Sequence, residues 1–294
     1  MIINPQSLRG VFIAYNTLFT RAFEDQKPTF EQIATVVPST TDAETYAWLG
    51  DIPGMREWVG DREIKNLSGS AYTIRNEDFE VTIAIPRDAI QDDKIGLYNP
   101  RIAMLAQSAA MHPDELVYKL LSAGFTELCY DGKAFYATDH EVGEKSVSNK
   151  LTAPLSLESY IAARALMRSY KNAEGRSLGL VPDRLVVPPS LESEARKILK
   201  ADFVDGTKNT MQDTAELQVV SQLLTDTEWH LLDTKRPIKP LIFQQRQKPK
   251  FVAITEENSE NVFMRKSFLY GADSRDNAGY GFWQMAVGST GTGA

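Results

Sequence analysis

The feature that most constrains this chain is a long helical segment that follows a strand. Residues 79–85, Phe-Glu-Val-Thr-Ile-Ala-Ile, alternate apolar with polar or small side chains, as in a strand with one buried face. Between positions 102 and 121, apolar residues recur three and four apart, which predicts an amphipathic helix over residues 100–123. Asn99 is the expected cap and Gly124 the expected stop. This pattern predicts a helix of roughly 36 Å with one apolar stripe, on which another part of the chain can pack.

Pro113 lies inside this helical pattern. A proline in a helix interior removes one backbone hydrogen bond, and its ring clashes with the preceding turn. We therefore expect either a kink near Met111 and His112 or a new helix that starts there. In the second case Asp114 and Glu115 would occupy the favourable first turn.

Composition excludes several classes of protein. The 294 residues are 43% hydrophobic and 24% charged, as in soluble globular proteins, and suffice for two compact bodies or for one body with long extensions. The formal charge of −7 argues against nucleic-acid binding by the whole surface but allows one local basic face. With Cys129 as the one cysteine, an intrachain disulfide and a cysteine-based metal cage are excluded. We expect no membrane span, no signal peptide and no cofactor. We expect the protein to act in a reducing cytoplasm or in particles assembled there.

Two segments are not expected to be stable without packing against another part of the chain or another subunit. Residues 8–23 form an amphipathic helix that must dock on its own body or on a neighbour. Residues 64–74 predict a β-hairpin, and an isolated two-stranded hairpin is marginal in water. Charges around the hairpin are segregated, first basic and then acidic: Arg62, Lys65 and Arg75, followed by Glu77 and Asp78. They form either a solvated face or complementary contacts between copies.

The chain offers few groups for catalysis. Its histidines, His112, His140 and His230, lie far apart in sequence and lack the spacing of metal ligands. Cys129 and His140 could pair as nucleophile and base, but a lone cysteine after a helix is more often a small buried side chain. We therefore expect no enzyme, with a small cytoplasmic enzyme that uses a Cys129 nucleophile as one alternative and a non-assembling binding module as another.

Basic residues gather in one late segment of the chain. They are Arg236, Lys239, Arg246, Lys248 and Lys250. The simple interpretation is a solvated strand and turn. The functional interpretation is a local patch that screens packed phosphates without reading base sequence.

Several blocks resemble the Mu-like phage major head subunit family. Residues 268–275, Phe-Leu-Tyr-Gly-Ala-Asp-Ser-Arg, and 277–286, Asn-Ala-Gly-Tyr-Gly-Phe-Trp-Gln-Met-Ala, are similar to the C-terminal signature of that family. Further matching blocks follow in the family's order: Tyr46–Gly50 with Glu57–Gly60, Ser108–Phe125, Cys129–Gly132, and Lys239–Phe243 with Lys248 and Pro249. The resemblance covers nearly the whole chain and is weakest over residues 140–225.

The resemblance implies the Hong Kong 97-type phage capsid fold, an α+β architecture. The expected parts are an N-terminal arm (1–45), an extended hairpin loop with the leading peripheral strand (46–90), a peripheral domain with the long spine helix (91–150), an axial α/β domain (151–225), and peripheral return strands with a tail (226–294).

The resemblance also implies a function. We expect a major capsid protein that assembles into hexamers and pentamers of an icosahedral head around double-stranded DNA. Expected partners are a scaffold protein, a portal protein, packaged DNA held by non-specific contact and, as an option, a decoration protein. The place of action would be the virion, assembled in the bacterial host cytoplasm. The resemblance also implies two roles for residues named above. The inter-subunit contacts of the loop, without a covalent cross-link, would be Arg62, Lys65, Arg75, Glu77 and Asp78. The inner-face groups near DNA would be Arg246, Lys248 and Lys250.

Overall fold

The structure is a computed structural model that describes residues 2–50, 72–204, 206–256 and 259–293. Arg62, Lys65 and the predicted turn of the hairpin lie outside these residues. The α-helices are α1 (Pro5–Glu24), α2 (Arg87–Gln91), α3 (Asn99–Ala123), α4 (Leu157–Arg168), α5 (Glu192–Lys200) and α6 (Glu260–Arg265).

Three of the β-strands in the same ranges have ten or more residues, and the others have five or fewer. They are β1 (Ala34–Pro38), β2 (Ala43–Thr45), β3 (Thr73–Arg75), β4 (Glu77–Pro86), β5 (His140–Val142), β6 (Lys145–Val147), β7 (Lys150–Leu151), β8 (Arg184–Val187), β9 (Phe203–Val204), β10 (Thr207–Lys208), β11 (Glu216–Val219), β12 (Trp229–Leu232), β13 (Leu241–Ile254), β14 (Ser267–Tyr280) and β15 (Ala286–Ser289).

One layer of the molecule is a four-stranded sheet covered by helices. Its strand order is β1-β13-β14-β4, with β1 parallel to β13 and the other pairs antiparallel. The inward residues of the long strands pack against α3 and α1, which lie side by side. Phe251, Phe268 and Tyr270 from the strands meet Tyr15 and Leu105 from the helices in this core. The predicted strand at 79–85 is thus an edge of the sheet that the spine helix crosses.

The spine helix α3 runs without interruption through Pro113. The expectation of a second helix starting at Pro113 is wrong. Buried residues on both sides of the proline, Ala110 before it and Val117 after it, continue one apolar stripe, and their burial outweighs one missing hydrogen bond. The helix begins at Asn99 itself, so the expected capping role of Asn99 is also wrong; Tyr98 is the cap residue, without a side-chain hydrogen bond.

A second, five-stranded sheet has the order β11-β8-β12-β15-β7. Helices α4 and α5 lie against it. Residues 226–294 were expected to return to the sheet at the spine helix, and for β12 and β15 this is wrong. Both strands instead extend the ladder of β8, where the wholly buried Trp229 and Val287 complete the core of the second sheet. The domain limits given above stay a prediction.

The two strands that flank the predicted extended loop pair with each other. Strand β2, just before it, pairs antiparallel with β3, just after it. Tyr46 N–H also donates a hydrogen bond to the carbonyl of Tyr72 at 2.8 Å. Across the described ranges, no helix has the length and apolar character to cross a membrane.

Candidate functional site

The connection between the terminal helix and the spine depends on one buried carboxylate. Asp114, on α3 directly after the proline, is 2% exposed. Its oxygens accept hydrogen bonds from the backbone N–H of Thr29 at 2.8 and 3.0 Å and from that of Phe30 at 2.7 Å. The Thr29 hydroxyl also donates to it at 3.2 Å. Because these groups begin the short turn that leads from α1 into β1, Asp114 fixes the arm to the spine.

Tyr118, one turn further along α3, extends this connection to the second sheet. Its hydroxyl lies 2.7 Å from that of Thr29 and accepts a hydrogen bond from Gln218 on β11. Burial raises the pKa of the Tyr118 hydroxyl well above its usual value, so it stays protonated and keeps its donor. The spine therefore contacts the arm on one side and the second sheet on the other.

The midpoint of the spine is tied to the four-stranded sheet. His112 Nε2 lies 3.1 Å from Oδ1 of Asp276 on β14, and the His112 ring packs on Phe79 with centroids 4.2 Å apart. Asp276 is 1% exposed, and its Oδ2 has no hydrogen-bond partner among the described residues. Together with the contact between Tyr118 and Gln218, this contact fixes the spine between the four-stranded sheet and the second sheet.

The predicted loop contacts that the structure describes lie at the base of the loop. Arg75 ends β3, and its carbonyl accepts a hydrogen bond from the side chain of Asn277 at 2.7 Å. Glu77 and Asp78 open β4 and are exposed. Asp78 Oδ1 lies 3.5 Å from Nε of Arg275 on the adjacent strand, so it already has a partner within the chain. Their part in contacts between copies stays a prediction.

The predicted DNA-proximal residues lie together on the irregular middle of β13. Arg246, Lys248 and Lys250 are all exposed, and the register of β13 with β14 shifts on both sides of Gln247. Lys250 is opposite Asp273 in the ladder. The patch is therefore mixed, with an acidic neighbour beside its basic side chains. The other two cations of the sequence cluster have internal roles, because Arg236 donates to two backbone carbonyls and Lys239 donates to one.

Cys129 is held in a hydrogen-bonded network. Its Sγ donates to Oδ1 of Asp131 at 3.1 Å, and Oδ2 of that carboxylate lies 2.6 Å from Nδ1 of His140. Burial, together with the Asp131 charge, raises the pKa of the Cys129 thiol far above its usual value. Burial alone would raise the pKa of the Asp131 carboxyl, but hydrogen bonds from His140 and Cys129 hold it below its usual value. Both the imidazole and the thiol bond the Asp131 carboxylate rather than each other, so the thiol is not an activated nucleophile.

The same network orders the polypeptide around Trp283. His140 stacks flat on the Trp283 indole, with centroids 4.0 Å apart, and its Nε2 lies 3.1 Å from Oδ1 of Asn149. The Asn149 amide in turn donates to three backbone carbonyls, including those of Phe135 and Ala286. Three groups here could in principle ligate a metal, and their ligand atoms lie within 4.8 Å of one another: those of Cys129, Asp131 and His140. Because the thiol and the imidazole both hydrogen-bond the Asp131 carboxylate, these groups stabilise the local fold.

Three buried polar residues of this site were not predicted from the sequence. Asp114, Asn149 and Asp276 were not identified as determinants of structure. For Asp114 a signal existed, since an acid on the apolar side of a helix needs a buried partner. Asn149 and Asp276 lie in polar stretches where nothing in the local pattern indicates burial.

The full sequence matches one protein family. Residues 8–154, 150–224 and 220–292 match the family described as Mu-like prophage major head subunit gpT. The chain is 34% identical to the major capsid protein of Escherichia phage Mu over 287 residues, which is 98% of this chain and 74% of that protein.

Solved structures of phage shells are similar in fold. A chain from the procapsid of bacteriophage JBD30 superimposes with a TM-score of 0.63 and 34% identity, over 98% of this chain and 76% of that chain. A chain from the JBD30 capsid decorated with minor capsid protein trimers gives a TM-score of 0.59 and 28% identity, over 67% of this chain and 91% of that chain. These likenesses confirm the capsid fold expected from the sequence.

Proposed function

The chain belongs to the Mu-like prophage major head subunit gpT family, and we propose that it is the major capsid protein of a Mu-like bacteriophage. The observation that carries this proposal is the 34% identity to the Mu major capsid protein across 98% of the chain. The protein is a structural component of the virion. Its family is not enzymatic, and the alternative of a Cys129 nucleophile has no support, because the thiol is buried and bonded to Asp131.

In our proposal the copies associate as hexamers and pentamers and close into an icosahedral head around double-stranded DNA. Assembly takes place in the host cytoplasm, with a scaffold protein and a portal protein. A decoration protein is a further partner, since the JBD30 capsid is described as decorated with minor capsid protein trimers. Closed symmetry supports this mode of assembly, because contacts of modest strength repeat around every subunit.

Sedimentation and electron microscopy of the purified chain test the proposal. The unmodified chain should form closed shells, whereas deletion of residues 65–71, which ends before Tyr72 and strand β3, should leave a folded subunit that forms none. The paired strands β2 and β3 at the base of this segment support a deletion that leaves the body intact. A full-length chain that stays monomeric at every concentration and ionic strength would contradict the proposed function. A deletion variant that assembles normally would remove the loop from its proposed role.

The DNA-proximal patch has a separate test. Lys248→Glu combined with Lys250→Glu should lower DNA retention in filled heads while empty shells still form, because the change reverses two charges on an exposed surface. Lys119→Glu with Lys200→Glu is a matched control, since both lysines are 55% exposed and lie outside the patch. Equal retention in the two variants would show that Lys248 and Lys250 form only a solvated surface.

A further inference from the structure

One end of the molecule displays two large apolar side chains to solvent. Helix α6, which lies between β13 and β14, presents Phe263 at 80% exposure and Met264 at 70% exposure. The preceding Val262 is only 2% exposed and anchors the helix to the four-stranded sheet. We call Phe263 and Met264 the α6 knob. Two adjacent apolar side chains held outward on an anchored helix are typical of a contact surface.

A hollow lies at the N-terminal end of α1, beside the last residues of β13. Its volume is about 630 Å³, and its walls include Pro5, Leu8, Arg9, Phe12 and Glu256. The floor is firm because Phe12 stacks on Phe251 of β13 with centroids 5.6 Å apart. We call this the α1 hollow. The α6 knob of the same chain does not fill it, since both knob side chains are largely exposed.

The charges around the knob and the hollow are complementary. Exposed Arg265 and Lys266 follow the knob, and exposed Glu256 lies on the wall of the hollow. Glu260 opens α6, and exposed Arg9 also lines the hollow. A knob that enters the hollow of another copy can therefore bring the basic end of α6 to Glu256 and its acidic end to Arg9. Such pairs favour one partner and one orientation.

These features identify another copy of this chain as the occupant. Every subunit carries one knob and one hollow, so each copy can give one contact and receive one, as in closed symmetric assemblies. We propose that the α6 knob of one subunit inserts into the α1 hollow of an adjacent subunit in the assembled shell. This inference rests on the proposed capsid function, and it adds the residues that form one of the contacts.

Cysteine cross-linking of two distinguishable variants tests the contact. Arg9→Cys and Met264→Cys are prepared as separate full-length proteins, mixed, assembled and oxidised. The native Cys129 is buried and does not compete. We expect covalent dimers from the mixture on a non-reducing denaturing gel, because a disulfide needs Cα atoms about 6 Å apart. Each variant assembled alone should give no dimer.

The control mixture pairs Met264→Cys with Phe203→Cys, which replaces an exposed side chain (66%) on β9, and should not cross-link. Shells that form normally without the Arg9–Met264 dimer would overturn the inference, as would dimers from Met264→Cys alone, which would indicate knob-to-knob contact. Shells in which Met264→Cys still reacts with a maleimide would also overturn it and leave the knob open to a decoration protein. Failure of the unmodified chain to form shells would instead contradict the proposed function.

Charge reversal gives an independent readout of the same contact. Glu256→Lys should raise the concentration needed for shell formation about tenfold, which corresponds to about 1.4 kcal/mol per contact. Adding Arg265→Glu to that variant should restore assembly, because the ion pair is re-formed with opposite polarity. If the double variant assembles no better than Glu256→Lys alone, the proposed pairing is wrong.

Discussion

Removal of the Asp114 carboxylate should detach the arm from the spine. In Asp114→Ala, the backbone N–H groups of Thr29 and Phe30 lose their acceptor. A buried donor left unsatisfied costs about 1–3 kcal/mol, so two such groups give about 2–6 kcal/mol. Thr29 is only half-buried, and water can reach it, which places our expectation in the lower part of this range, about 2–4 kcal/mol. Asp114→Asn keeps one acceptor oxygen and should cost about 1–2 kcal/mol.

Urea unfolding of unassembled subunits measures this effect as a shift of the transition midpoint. The matched control is Glu115→Ala, the adjacent helical residue, which is 54% exposed and lies 3.6 Å from Lys119. An exposed pair of this kind contributes about 0.3–0.5 kcal/mol, so the control should change the free energy of unfolding little. Amide hydrogen exchange should also speed up at Phe30 in Asp114→Ala alone. If Asp114→Ala and Glu115→Ala are equally stable and equally protected, the proposed role of Asp114 is refuted.

Three further predictions concern packing, pH and reactivity. Gly281→Ala should destabilise the subunit by about 1–3 kcal/mol in urea unfolding, because a Cβ at this position would lie 2.7 Å from the Lys239 carbonyl oxygen. Gly10→Ala is the control and should not destabilise the subunit, because nothing lies within 4 Å of the added Cβ. Burial lowers the pKa of His230 from 6.5 to about 3, so the unfolded chain binds a proton before the folded chain does. Stability should therefore fall as the pH drops from 6.5 towards 3, and His230→Asn should show a smaller loss; an unchanged pH profile would contradict this. Cys129 should react with maleimide only after unfolding, and fast labelling of the folded subunit would contradict its burial.

The local parts of the fold follow from sequence pattern. Strand β4 and helix α3 were predictable because period-two and period-3.6 patterns each determine one element and its buried face. The continuity of α3 through Pro113 could not be predicted in this way, because it depends on burial against the rest of the fold, which a local rule for proline does not consider. The family resemblance supplied the class of fold, and the comparisons confirm it.

The local sequence pattern could not predict which strands pair or which distant polar residues bond to each other. Strands β12 and β15 are short and wholly buried, so their apolar runs fit either sheet equally well, and only the packing against β8 assigns them to the second one. The partners of Asp114 are 84 and 85 residues away in sequence, a separation that no spacing rule covers. The basic cluster shows the same limit, because Arg236 bonds to backbone 57 and 58 residues away.

Electron microscopy of the purified chain under assembly conditions is the most direct test that it builds a phage head. We expect closed, icosahedral shells of uniform size, in which every subunit shows the spine helix α3 lying across the four-stranded sheet. Particles of this kind, formed by the chain alone or with the proposed scaffold protein, would establish it as the building unit of a head. A folded chain that remains monomeric, or that forms only irregular aggregates with and without a scaffold protein, would contradict its assignment as a capsid protein.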